Sequence, residues 1–241
     1  MIDSLDNKQV KAWTKLHNKK YRDISNQFLV EEEHLINEAI EQNALDTIIC
    51  SKKNYFNFNN VIEVSQKVMN KLSQNKSEVH YIGVCNKLNI KPTNFNRVIL
   101  LDNIQDPSNI GAIIRSAVAF NYDKIYISND CADIYNEKSI RASQGAIFKI
   151  AIEKVSLIDT LKLLKDNNFK VYATSLVNST NIDNIMPSNN MAFIFGNEGK
   201  GVSKELIDLS HKSIIIPIKN FESLNVSVAT GIILYKFSNN I

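Results

Sequence analysis

Four apolar residues in a row, Val98-Ile99-Leu100-Leu101, stand between Arg97 and Asp102. A strand with one wet face alternates apolar and polar residues. An unbroken run of this kind belongs to a parallel strand covered on both faces, which requires helices above and below its sheet. Strand-like segments recur at 124–128, 169–175, 191–195 and 213–218, with helical patterns between most of them. The expected architecture is a doubly wound α/β sheet with right-handed crossovers, and ligands of such sheets bind beyond the carboxyl ends of the strands. No internal repeat is visible.

A smaller α/β pattern precedes this one. Val10, Trp13 and Leu16 recur at helical spacing within 4–20, which predicts an amphipathic helix with Trp13 in a core. A short strand at 27–31, a helix over 33–43 with Leu35, Ile36 and Ile40 inward, and a buried strand at 46–51 follow. A helix over 60–73, using Val61, Val64, Val68 and Leu72, leads into a strand at 79–85. The polar stretch 86–96 contains Pro92 and separates two well-patterned regions. The expected domains are 1–88 and 96–241, joined by a linker at 89–95.

Composition excludes several classes. With 44% hydrophobic and 22% charged residues the 241-residue chain reads as an ordinary globular protein rather than a disordered one. Cys50, Cys85 and Cys131 are far apart and lack C-x-x-C spacing or clustered histidines, so neither a disulfide framework nor a metal site is expected, and a reducing cytoplasm fits. No apolar run approaches a membrane span, and residues 1–10 lack the order of a signal peptide. The abundant asparagine, lysine and isoleucine share A/T-rich codons, which reads as genome composition rather than chemistry. A net charge of +3 leans basic, and Lys15, Lys19, Lys20 and Arg22 crowd the first helix and its exit. They form either a solvated helix face or a surface for RNA phosphates.

Three loops at strand ends carry the chemistry. After Asp102 a polar loop turns into a helix that Asp106 or Ser108 can cap, and Asn109, Gly111 and Arg115 follow at fixed spacing. Gly111 costs a helix about 1 kcal/mol relative to Ala, which suggests a close neighbour, and Arg115 lies on the same face one turn later. The second loop, Phe195-Gly196-Asn197-Glu198-Gly199-Lys200-Gly201, alternates glycines that let backbone approach a flat or charged ligand. It is neither a P-loop nor a dinucleotide fingerprint. Glu198 offers an acceptor for a ligand hydroxyl or for orienting Arg115. The third loop follows a strand ending near Pro217. It leads into a helix from about Leu224, capped by Ser223, whose small residues Ser227, Ala229, Thr230 and Gly231 permit close packing.

In this order, N-x-G-x-x-x-R at 109–115, F-G-N-E-G-x-G at 195–201, and I-P followed by E-S-L-N-V-S-V-A at 222–229 resemble the three signature motifs of the SpoU (TrmH) family of RNA 2′-O-ribose methyltransferases. The resemblance covers about the last 145 residues, and 22–39 looks like the opening of the family's substrate-binding domain, with Glu32 where a glycine is common. It implies a C-terminal trefoil-knotted α/β domain with a parallel sheet, preceded by a small ribosomal-protein L30e-like α/β RNA-binding domain. It implies S-adenosylmethionine as cofactor, contacted by Gly196, Gly201, Ile216, Ile218 and Leu224 with Thr174 or Ser175. It also implies a homodimer with the site at its interface. Arg115 would be the leading catalytic residue, with Asn109, Glu198, Ser223 and Asn225 fixing geometry.

Between Pro217 and Ser223 the chain is one residue shorter than the family pattern, and Lys219-Asn220 replaces a customary glycine. Either the loop takes another course or Asn220 supplies the left-handed conformation. The expected substrate is 23S rRNA, with tRNA, or a noncatalytic RNA-binding role on the same fold, as alternatives. An NAD-dependent oxidoreductase is disfavoured because no G-x-G-x-x-G follows the first strand of either domain.

Overall fold

A computed structural model describes residues 1–238 apart from Lys76 and Thr93. Thr93 of the expected linker and residues 239–241 of the expected C-terminal domain lie outside the described residues. The chain begins with α1 (Lys8–Lys15), α2 (Lys19–Ser25), β1 (Gln27–Val30), α3 (Glu33–Glu41), β2 (Leu45–Cys50), β3 (Val61–Glu63), α4 (Gln66–Leu72) and β4 (Tyr81–Asn86). It continues with β5 (Arg97–Asp102), α5 (Pro107–Ala119), β6 (Lys124–Ile127), α6 (Glu137–Ser143), β7 (Ala151–Lys154), α7 (Leu157–Asp166) and β8 (Lys170–Thr174). The remaining elements are β9 (Thr180–Asn181), β10 (Met191–Gly196), α8 (Lys204–Leu209), β11 (Lys212–Ile215) and α9 (Val226–Lys236). They fall into two compact units: residues 1–89 with 133–149, and residues 90–132 with 150–241.

The first unit holds a four-stranded mixed sheet in the order β1-β4-β2-β3, antiparallel except for the β2–β3 pair. Val10, Trp13 and Leu16 of the N-terminal segment pack with Val68, Met69 and Leu72 of α4 on one face of this sheet, so Trp13 is a core residue as expected. Two boundaries differ from the sequence reading. The first helix stops at Lys15, because the Asn18 side chain accepts the Lys20 N–H and starts α2 as a separate helix. The segment read as a helix from residue 60 opens instead as β3, where Val61 and Ile62 pair with Ile48 and Ile49 of β2. The β-branched residues there serve a strand, and helix begins only at Gln66.

Arg22 is the larger correction. It is not on a phosphate-contacting surface but buried, with its side chain only 6% exposed. Its Nε and Nη2 donate to Asp133 Oδ2 at 3.2 and 2.6 Å, and its Nη1 donates to the carbonyls of Leu16 and His17 at 2.7 and 2.8 Å. The guanidinium fork thus closes the carbonyl end of α1 and binds the 133–149 segment at once. That segment adds Tyr135 and Phe148 against Phe28, at ring separations of 4.7 and 5.8 Å.

The second unit is a seven-stranded sheet, all parallel, in the order β7-β6-β5-β10-β8-β11-β9. As the apolar run requires, β5 and β10 lie inside it and Val98–Leu101 are fully buried. Val98, Leu100, Ala192 and Ile194 face one layer with Leu161 and Leu164 of α7 and Leu206 of α8. The alternate residue Phe193 stacks on Phe237 at 5.1 Å on the other side, beside the packed pair α5 and α9. The edge strands β7 and β9 escaped the sequence reading, and β11 ends at Ile215, short of Pro217, which has no N–H for a ladder.

Of the eight non-glycine residues with positive φ among the described residues, seven are asparagines. Asn43, Asn121 and Asn168 each follow a helix. The residue after each, Ala44, Tyr122 or Phe169, donates its N–H back to Ala39, Ala117 or Leu164 at 2.8, 2.9 and 3.0 Å and is buried. These are left-handed C-terminal caps that turn a helix into the next strand, with asparagine where glycine is usual. The asparagine excess therefore has a conformational role beyond codon usage.

Breaking one side of the buried Arg22–Asp133 pair leaves an uncompensated charge, at a cost of about 3 kcal/mol. Urea unfolding of Arg22→Ala and Asp133→Ala at neutral pH is expected to show that loss in each, with Arg22→Lys only partly restored. A loss below about 1 kcal/mol in both would contradict the assignment of the pair as a structural anchor.

Candidate functional site

The site is built at the carboxyl ends of β5 and β10, neighbours in the parallel sheet whose registers end together at Asp102 and Gly196. After β5 the chain turns through Asn103 in the left-handed conformation (φ 57°), and Asp106 caps α5 by accepting the Ser108 N–H at 2.8 Å with Pro107 in the first turn. That resolves the choice of cap in favour of Asp106. After β10 the loop folds back on itself, with the Gly201 N–H donating to the Asn197 carbonyl at 2.8 Å. The Asn197 side chain accepts the Gly199 and Lys200 N–H groups at 3.0 Å each. Its amide donates to the Asn103 carbonyl at 2.9 Å, which joins the first loop to the second.

Gly196 has a different reason from the one the sequence suggested. A Cβ there would lie 2.1 Å from Gly201 C and from Val202 N, so what approaches Gly196 is the protein's own returning backbone. Gly201 needs its glycine for conformation, at φ 70°.

Glu198 sits at the centre of the polar network. Its carboxylate accepts from Asn109 Nδ2 at 2.9 Å, from the Asp106 N–H at 3.2 Å and from the Gln105 N–H at 3.3 Å. Asn109, 8% exposed, in turn accepts at Oδ1 from Asn225 Nδ2 at 3.1 Å. Asn225 caps α9 by accepting the Ser227 N–H and hydroxyl at 2.9 and 2.7 Å. One residue from each of the three loops is thereby joined in a single chain of hydrogen bonds. Burial would raise the Glu198 carboxyl, but the hydrogen bonds from Asn109 and from its own, Gln105 and Asp106 backbone N–H groups outweigh that and hold it below its ordinary 4.5. The group contributes fully above that value, and its contribution is lost as the pH falls through the lower folded-state pKa.

Two expectations are corrected here. Glu198 pairs with Asn109 and the backbone, not with Arg115. The cap of α9 is Asn225 and not Ser223, which is exposed two residues earlier. Arg115 is exposed on α5 with no hydrogen bond or ion pair among the described residues, so its fork is available to a ligand. Asn197, Asp102 and Gln105 were missed as site-builders. The Asn-x-Gly pattern at 197–199, which favours a side-chain-closed turn, was a usable signal for the first of them. Asp102 Oδ2 accepts the Ser203 N–H at 2.8 Å and closes the base of the second loop.

The third loop offers another kind of surface. Among the described residues no acceptor within the protein takes the backbone N–H groups of Ile218–Leu224, and Ile216, Ile218 and Leu224 beside them are half-buried. Free backbone polar groups next to apolar side chains suit the adenosine part of S-adenosylmethionine. Asn220 adopts φ 65°, so it does supply a left-handed residue in this loop. Thr174 donates its hydroxyl to the Ile194 carbonyl of β10 at 3.1 Å, and the Ser175 N–H donates to the Ile214 carbonyl of β11 at 3.1 Å, so the end of β8 lies between the strands that feed the second and third loops. Thr174 is thereby engaged within the protein. No cluster of metal-ligating side chains exists among the described residues.

The basic residues expected on the RNA side belong to the first unit. Lys15 lies over the Tyr21 ring, 5.3 Å from its centroid, and Lys19 pairs with Asp23. Lys20 is exposed and has no ion pair among the described residues.

Known proteins resemble this chain in both sequence and fold. Residues 96–235 match the SpoU rRNA methylase family and residues 7–82 match the MRM3-like substrate binding domain. The chain is 33% identical over 241 residues to a Bacillus subtilis protein, 23S rRNA (guanosine(2553)-2′-O)-methyltransferase RlmP, with 97% of each chain covered. Its backbone superposes on an rRNA methyltransferase from Sinorhizobium meliloti with a TM-score of 0.86 at 26% identity, covering 98% of this chain and 95% of that one. The same score holds for the AdoMet-bound form of that protein.

The two glycines of the second loop separate loop closure from mere flexibility. Gly196→Ala forces backbone against backbone and is expected to abolish binding of S-adenosylmethionine in calorimetric titration. Gly199→Ala, whose Cβ meets only Asn197 Oδ1 at an ordinary 3.7 Å, is expected to keep affinity within about threefold. Equal tolerance of both would show that the loop does not hold this fold-back.

Proposed function

Because this chain belongs to the SpoU rRNA methylase family and is an rRNA 2′-O-ribose methyltransferase that uses S-adenosylmethionine, we propose that its substrate is 23S rRNA. We propose further that its target is the nucleotide corresponding to the guanosine at 2553 in the name of its Bacillus subtilis relative. The observation that carries this is the unbroken chain Glu198–Asn109–Asn225 linking all three loops, in a protein similar to that relative over nearly the whole of both chains. A chain that had lost catalysis and kept only RNA binding would have no reason to retain this network beside an open arginine.

The cofactor supplies an electrophilic methyl group on a sulfonium sulfur. The ribose 2′-oxygen must meet that carbon in line, the O–C bond forming as the C–S bond breaks, so placement of the ribose dominates the barrier. Arg115 has the planar, permanently charged fork suited to hold a phosphate beside the ribose and to stabilise negative charge growing on the 2′-oxygen, while the hydroxyl proton passes to solvent. Glu198 is not the base in this scheme, since its oxygens are occupied by the Asn109 amide and backbone N–H groups and it is held ionised for that purpose. It fixes Asn109, and through Asn109 the start of α9, relative to α5 and Arg115. Gly196, Gly201, Ile216, Ile218 and Leu224 form the cofactor side, bordered by Thr174 and Ser175, whose hydroxyls are both engaged within the protein, the first with the Ile194 carbonyl and the second with Val177. Lys20, with Lys15 and Lys19 behind it, forms part of the RNA side.

The protein acts as a homodimer in this reading. Val228, Ile232 and Tyr235, one stripe of α9, are 51%, 39% and 63% exposed on a helix apolar on both sides, the pattern of a helix buried by a partner. The C-terminal segment from β11 to α9 is read as the knotted part of the fold. No helix among the described residues is long and apolar enough to cross a membrane, and three free, buried cysteines fit a reducing cytoplasm.

Methyl transfer from labelled S-adenosylmethionine to RNA of a strain lacking this gene, followed by nucleoside analysis, tests the proposal. Label is expected in one 2′-O-methylated nucleoside of 23S rRNA. Arg115→Ala and Arg115→Lys are each expected to lose at least a hundredfold in kcat/KM with cofactor affinity unchanged, roughly 2.7 kcal/mol of transition-state stabilisation. Label in tRNA alone, or near-full turnover by Arg115→Lys, would contradict it.

A further inference from the structure

The first unit contains a built aromatic surface that none of the features above uses. The loop after β2 reads Lys52-Lys53-Asn54-Tyr55-Phe56. Tyr55 is 60% exposed although its ring rests on a packed pair: Phe56 lies parallel to it at 4.6 Å, and buried Tyr81 meets Tyr55 and Phe56 edge-on at 5.2 and 5.3 Å. The support is fixed. The Tyr81 hydroxyl donates to the Lys53 carbonyl at 2.8 Å. The Asn54 side chain accepts the Phe56 N–H at 3.2 Å and donates to the Phe56 carbonyl at 3.1 Å. The Glu33 carboxylate beside the Tyr55 hydroxyl pushes that phenol up to about 12, so the ring stays neutral. Lys52 and Lys53 are exposed and have no ion pair among the described residues.

A rigidly backed aromatic face with two unpaired cations at its side is complementary to an unstacked base and its phosphates. We propose that the open face of Tyr55 is a stacking subsite for one unpaired base of the RNA substrate, with Lys52 and Lys53 taking the phosphates that flank it. Holding one unpaired base this way anchors the RNA at a point set by the loop, without reading the identity of that base. The inference rests on the RNA methyltransferase reading for its ligand class.

The test uses the full chain with the single substitution Tyr55→Trp. The native tryptophan, Trp13, is buried, so the new indole reports on its own face. A short single-stranded RNA is expected to quench its fluorescence saturably, and the same RNA annealed to its complement is not. Tyr55→Ala is expected to weaken single-strand binding about tenfold, and Tyr55→Phe to retain it, with melting temperature and S-adenosylmethionine affinity unchanged in both. Replacing Lys52 and Lys53 by alanine is expected to reduce the salt slope of log K by about 1.4.

Single-strand affinity of Tyr55→Ala equal to that of the unmodified protein overturns the proposal. So does a defect confined to ribosomal particles with naked RNA bound as before, which would assign the ring to a protein. Methyl transfer by the unmodified protein is followed in parallel. Active enzyme with no effect at Tyr55 removes the subsite alone, whereas quenching and weakened binding without any methyl transfer remove the enzymatic reading alone.

Discussion

The Glu198 carboxylate collects two backbone donors from the turn between β5 and α5 and the Asn109 amide from the first turn of α5 itself, and much of the site follows from that convergence. Backbone N–H groups at the entrance of a helix have no partners within it, so an acceptor must come from elsewhere. Here Asp106 takes one and Glu198, almost a hundred residues away in sequence, takes those of Gln105 and Asp106 itself. The same carboxylate fixes the Asn109 amide so that its oxygen faces Asn225, and Asn225 caps the last helix. Two helix starts and one strand-end loop are therefore set relative to one another by neutral amides around one charge. Preorganised polar geometry of this kind is what a displacement reaction with little covalent participation by the protein requires.

The network also explains why the glycines and asparagines fall where they do. The second loop presents Glu198 only because it doubles back, and it doubles back only because Gly196 has no Cβ to strike Gly201 and Val202. Asn197 closes that turn with its side chain, and Asn103, in the left-handed conformation, offers the carbonyl that Asn197 grips. At Asn220, in the third loop, the same residue type takes the left-handed conformation, at φ 65°. Asparagine tolerates this conformation because its short polar side chain can bond locally, at less entropic cost than glycine on folding. The chain has only seven glycines and uses asparagine for turns that many proteins give to glycine.

The parallel sheet was legible from Val98–Leu101 and Phe193–Phe195, because burial on both faces leaves a local trace in composition. The three loops were legible because they follow those strands directly. What escaped the sequence depends on partners distant along the chain. Arg22 looks like its lysine neighbours until Asp133 is placed beside it, and Ser223 looks like a cap until Asn225 is seen to face both Asn109 and the Ser227 N–H. Val61–Val64 has the spacing of a helix face, and only pairing with Ile48 and Ile49 makes its first residues a strand. The grouping of residues 133–149 with the N-terminal unit has no signature in local pattern, since its basis is the Arg22 pair and the rings around Phe28.

The central claim is that Asn109, Glu198 and Asn225 act as one unit. A double-mutant cycle on Glu198→Gln and Asn225→Ala, two residues that do not touch each other but share Asn109, read through kcat/KM for methyl transfer, tests it directly. The account predicts strong non-additivity, with the double variant little worse than the poorer single variant and a coupling of about 1 kcal/mol or more. Additive losses within about 0.3 kcal/mol would mean that the three loops contribute independently, and would contradict the account.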